Sequence, residues 1–224
     1  MSEDTLFREI NEDLRADRMR ALWRRFGPYV IGGAVAVVLL VALNEGWSWW
    51  QQSNAARSSD ALYVALDAAE AGEIDAALAA LETVEKQGSG KYPVLGQFAE
   101  AAYLAQKGKV TEAIVLYDTL AASLDVVRLR ELALVLAAFQ LVDSADIGGI
   151  ETRVGGLIAA NSPFAGVARE ALGLAQYKAG DFDAALATFE AAEVDVTASA
   201  DLLARISVYV AQLDAEGATS VATE

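Results

Sequence analysis

The 224-residue chain contains no cysteine and no histidine. That excludes disulfides, thiol redox chemistry, cysteine nucleophiles, Cys/His zinc sites and any triad that needs imidazole. A chain without cysteine also suits an oxidising compartment. Proline is nearly missing, with only Pro28, Pro93 and Pro163, so little interrupts helices in a long Ala-rich sequence. Positive charge is scarce: 17 Lys and Arg stand against 32 Asp and Glu, a net of −15. From Gln51 onward the counts are 11 and 25, a net of −14. Such a surface repels phosphate backbones, which argues against nucleic acid, and does not favour lying flat on anionic lipid. No GxGxxG, P-loop or EF-hand pattern occurs. Acids such as Asp181, Asp183, Glu190 and Glu193 alternate with apolar residues at helical spacing, the pattern of solvated helix faces rather than of paired catalytic carboxylates. The expectation is a non-enzymatic protein with no cofactor, no metal and no small-molecule substrate.

What is present begins with an apolar run. From Tyr29 to Leu43 nothing is charged, and the segment Pro28 to Trp50 would be roughly 35 Å long as a helix. That length crosses a bilayer with some tilt. Arg24 and Arg25 precede it, and Trp47, Trp49 and Trp50 close it, where interfacial side chains stand in membrane proteins. Arg8, Arg15, Arg18, Arg20, Arg24 and Arg25 lie before the run, whereas Arg57 is the one basic residue in the twenty after it. This asymmetry predicts a cytoplasmic N-terminus and a C-terminal domain across the membrane. A cleavable signal has a short leading region and a small-residue site directly behind its apolar core. Here nearly thirty residues lead, and Asn44-Glu45-Gly46 and three tryptophans follow. The segment therefore reads as an uncleaved anchor, with Glu45 near the far interface because a carboxylate is costly at mid-bilayer. The predicted organisation is 1–27 cytoplasmic, 28–50 transmembrane, 51–214 repeat domain and 215–224 disordered tail.

The repeat domain declares itself by self-similarity. Gly72-Glu73-Ile74-Asp75-Ala76-Ala77-Leu78 aligns with Gly108-Lys109-Val110-Thr111-Glu112-Ala113-Ile114 and with Gly180-Asp181-Phe182-Asp183-Ala184-Ala185-Leu186. The glycines lie 36 and 72 residues apart, one period and two, and the missing turn belongs at Asp143-Ser144-Ala145-Asp146. A helix–turn–helix unit of about 36 residues, repeated four times, follows. The glycines supply the positive φ that ends a first helix. Ala77, Ala113 and Ala185 let the second helix approach, and Leu81, Tyr117 and Phe189 fill the seam one turn on. Such pairs cannot bury their apolar faces alone and must stack.

These units resemble the tetratricopeptide repeat family. The best copy is Leu172, Gly173, Gly180, Phe182, Ala185, Phe189 and Ala192; it lacks the family's first-helix Trp and closing proline. The resemblance implies an all-α fold, one transmembrane helix followed by a helical-repeat solenoid that binds proteins. First-helix residues line the inner face of such solenoids, which makes Arg169, Gln176 and Tyr177 candidate partner-binding residues. A second resemblance covers the whole chain, through Leu22-Trp23-Arg24-Arg25-Phe26-Gly27, the anchor, Ser162-Pro163-Phe164, Ala168-Arg169-Glu170 and Tyr177-Lys178-Ala179-Gly180-Asp181. It is similar to the ancillary subunits of the bacterial Sec translocon. That similarity implies a single-pass protein of the bacterial inner membrane with a periplasmic domain, associated with the SecYEG channel and a membrane-anchored periplasmic chaperone. The alternative is an assembly factor for another envelope or respiratory complex using the same surface.

Overall fold

The computed structural model describes residues 3–195 and 198–219. Among them the chain is all-α, as the periodicity predicts: α1 (Glu3–Glu70), α2 (Ile74–Gln87), α3 (Tyr92–Gln106), α4 (Val110–Ser123), α5 (Val127–Leu141), a 3-10 turn (Val142–Ser144), α6 (Ile147–Ala159), α7 (Ala165–Ala179), α8 (Phe182–Glu193) and α9 (Ala200–Glu216). The chain divides into two units, Met1–Ala56 and Arg57–Glu224.

The first unit consists of the N-terminal part of α1. It contains Pro28, whose missing N–H removes one rung of the helical ladder. Every residue from Ile31 to Gln52 is exposed, including Val35, Leu39, Leu40, Val41 and Leu43. A soluble protein's core helix would bury such residues, and an apolar surface of this extent marks contact with something other than water. The helix is long and apolar enough to cross a membrane.

In the second unit the helices pack in sequence, each against the next from α2 to α9, with further contact between α5 and α7 and between α7 and α9. The 36-residue period appears in the turns. Gly72, Gly108 and Gly180 have φ of +81°. At Gly180 its N–H donates to the Tyr177 carbonyl and the Asp181 N–H to the Gln176 carbonyl, both at 3.0 Å. The same two bonds recur at Gly72 and Gly108, and together they satisfy carbonyls that a helix end leaves unpaired. The third turn uses Ala145 at φ +53°, again with its N–H on Val142 and the next N–H on Leu141. It lies where the period places the missing copy.

The seams repeat as well. Ala77, Ala113 and Ala185 have no exposed surface, and Leu81, Tyr117 and Phe189 are buried one turn later. In the third repeat Ile150 and Val154 take those two places, both fully buried. A larger residue followed by a smaller one fills the seam in reversed order, so the geometry survives where the sequence pattern fades. Glycine at position 173 lets the Phe189 ring approach, because a Cβ there would lie 2.5 Å from it and force that buried ring to shift. The core is a string of local clusters, α3–α5 around Tyr117, α5–α7 around Ile150, and α8–α9 around Phe189, as expected of a one-dimensional stack. Side chains one repeat apart tie neighbours together. Arg153 forks onto Asp118 at 2.9 and 2.6 Å, Arg205 onto Glu170 at 2.7 and 2.8 Å, and Lys178 pairs with Asp143.

One expectation needs correction. The segment predicted to be a disordered tail from Ala215 is helical through Glu216, ends at Gly217 with φ +82°, and is pinned where the Thr219 N–H donates to Asp183 at 2.7 Å. Its small polar residues carry no periodicity, but a glycine cap and a carboxylate one repeat upstream order the backbone. Residues 220–224 lie outside the described residues.

Candidate functional site: an aromatic pocket at the last helices

Helices α7, α8 and α9 enclose a cavity of about 140 Å³ lined by Leu174, Tyr177, Phe189, Tyr209 and Gln212. Each wall follows from the repeat. Leu174 and Tyr177 lie one turn apart on α7, close to its capped end. Phe189 is the seam aromatic of α8, held at close range by the missing side chain of Gly173. Tyr209 belongs to the α9 stripe with Leu202, Ile206 and Leu213, spaced at helical intervals, and stacks on Phe189 with ring centroids 5.1 Å apart. Phe182 supports the far side of Tyr177 at 5.3 Å.

The cavity's exposed polar neighbours are Gln212 and Glu216. Glu216 accepts from the Tyr177 hydroxyl at 2.9 Å and from the Gln212 amide at 2.6 Å. The Glu216 carboxylate beside it raises the Tyr177 phenol above its ordinary pKa, so it stays protonated and remains a donor. The walls hold no nucleophile and no acid–base pair. What the cavity can do is take an apolar group and orient it by hydrogen bonds at the rim.

The structure separates the three groove candidates. Tyr177 lines the pocket. Arg169 is bonded to Asp195 at 2.9 Å, with both side chains largely shielded, and holds α7 to the segment between α8 and α9. Gln176 accepts from the Thr188 hydroxyl at 2.7 Å across the α7–α8 seam. Both therefore act inside the last repeat. Sequence reasoning missed Tyr209, Gln212 and Glu216; the spacing Leu202, Ile206, Tyr209, Leu213 was the available signal. In the first unit, Trp47, Trp49 and Trp50 are well exposed, and Trp47 stacks on Trp50 at 5.3 Å. Arg24 is exposed, and the Arg25 guanidinium lies 5.7 Å over the Phe26 ring.

A helical-repeat stack with a side-chain-sized apolar pocket has the form of a protein-binding module. Residues 20–203 match the family described as a tetratricopeptide repeat-like domain, and the chain belongs to it. The matched range takes in the apolar part of α1 as well as the repeats. No curated protein and no solved structure matches the chain. The fold and family make it an interaction scaffold with protein partners.

Proposed function

We propose that this scaffold is a single-pass protein of the bacterial inner membrane, N-terminus cytoplasmic, with its repeats in the periplasm beside the Sec translocon. There it links the SecYEG channel to a membrane-anchored periplasmic chaperone. The observation that carries the reading is the union, in one family-matched chain, of an exposed apolar helix with a protein-binding stack. The arginines before that helix and the tryptophans after it support the orientation. Its mechanism is stoichiometric binding. Anchoring both partners in one membrane raises their effective concentration, so weak contacts suffice.

Crosslinking in intact cells, followed by purification in mild detergent and mass spectrometry, tests this. The channel and a single-pass periplasmic chaperone are expected among the partners. Recovery of a respiratory or other envelope complex in their place would sink the translocon reading and leave the scaffold.

A further inference from the structure

The α7–α9 pocket has a partner chemistry written into it. We infer that it receives one aliphatic side chain, leucine-sized, from a partner segment that carries Lys or Arg on either side of it. This deepens the scaffold reading above and rests on it for the claim that the ligand belongs to a protein.

The size argument comes first. An apolar cavity of roughly 150 Å³ admits a benzene-sized group, and the pocket's 140 Å³ is of that order. Its walls are one aliphatic and three aromatic side chains, with Gln212 at the opening. An extended polar or charged group would lose its water there without compensation.

Charge decides the flanks. Between Ala179 and Thr219 the sequence has eight carboxylates (Asp181, Asp183, Glu190, Glu193, Asp195, Asp201, Asp214 and Glu216) and a single cation, Arg205. Arg205 is committed to Glu170 in a two-bond fork. The neighbouring Lys178 is committed to Asp143, and Arg169 to Asp195. Glu216 instead bonds neutral donors of the lining, Tyr177 and Gln212, and the two carboxylates that flank Phe182, the ring packed on Tyr177, do likewise: Asp183 holds Thr219 and Asp181 caps the Ala184 N–H. All three are exposed. An apolar pocket rimmed in this way favours a basic segment around the inserted side chain and repels an acidic one.

The test uses the full chain in nanodiscs of neutral lipid. The probe is a fluorescein-labelled peptide, Gly-Lys-Arg-Leu-Arg-Lys-Gly, read by anisotropy against empty nanodiscs. Two companions replace the central leucine by alanine, or the four basic residues by glutamine. The leucine peptide should bind saturably, and the alanine peptide at least about tenfold more weakly, because one buried aliphatic side chain is lost. The glutamine peptide should also bind less tightly, and raising the salt should erase its deficit relative to the basic one. Gln212→Trp, at an exposed position on α9, should cover the opening and remove the leucine-dependent part with helicity and Tm unchanged. Glu216→Gln should flatten the salt dependence. A leucine replaced by its photoreactive diazirine analogue should crosslink to α7 and α9. Equal binding of the leucine and alanine peptides, indifference to Gln212→Trp, or no binding at all would overturn the inference. Co-purification of partners with the same wild-type protein separates the two levels. Partners without peptide binding sink the pocket alone, whereas peptide binding without any membrane partner sinks the scaffold reading and leaves the pocket standing.

Discussion

Ala145 sits in the left-handed region where every other first-helix turn has glycine. A side chain in that conformation costs on the order of 1 kcal/mol relative to glycine. Ala145→Gly should therefore raise the stability of the full chain in detergent by about 1 kcal/mol, and Gly180→Ala should lower it by a similar amount. Urea unfolding followed by circular dichroism measures both; opposite signs are the required result. The glycines at 72, 108 and 180 could be read from sequence because few residues serve a positive φ. The third turn was legible only through the period, since alanine gives no such signal. Among the pocket residues, Tyr177 and Phe189 could be named from the repeat pattern. Tyr209, Gln212 and Glu216 could not, because what matters about them is which helix they meet, and that is a property of stacking.

Between α2 and α3 two carboxyls face each other. Burial, then the hydrogen bond and charge of Glu100 on α3, then the charge of Glu82 on α2, push Glu85 up to about 7, with Lys86 opposing. One Glu85 oxygen is buried without a partner among the described residues. The folded-state pKa lies above the ordinary 4.5, so this group's stabilising effect is complete below about 4.5 and is lost as the pH rises through about 7. Glu85→Gln keeps the neutral form at every pH. It should stabilise the protein by about 1 kcal/mol at pH 8, after allowing for partial exposure, and by little at pH 4.5. Melting curves of both proteins across that range check it; a gain that does not change with pH would mean that ionisation of the half-buried Glu85 is not its source. At this scale the helices themselves were legible and their ends less so. α9 was hidden because the glycine-led motif that opens the second helix of the other pairs is not repeated at Gly217. The third pair was masked by the exchange of large and small residues at 150 and 154.

For the whole molecule, orientation is the property on which every proposed contact depends. Arginines cluster ahead of the apolar run and carboxylates dominate after it. Alkaline phosphatase fused after Glu224 should be active, and a fluorescent cytoplasmic reporter at the same place should be dark. The reverse pair of results would place the repeats in the cytoplasm and remove the translocon from reach. The all-α character and a helix apolar enough to span a membrane were readable at this scale because hydropathy and a 36-residue period are long-range signals. The charge pattern around a single cavity was not, since its members come from helices far apart in the chain.

Helix α9 has a last consequence. It packs one side on α7 and α8, and leaves Asp201, Ala204, Ser207, Val208, Ala211 and Asp214 exposed. Stacked repeats are in principle open-ended, and a sticky terminal face would let one chain add to the next. Tethering many copies to one surface, as the proposed anchor would, makes such growth steep. The exposed face of α9 carries one large apolar side chain, Val208, among small and polar ones, which is little for another repeat to stack on. A face of that make-up works against end-to-end growth from one copy to the next.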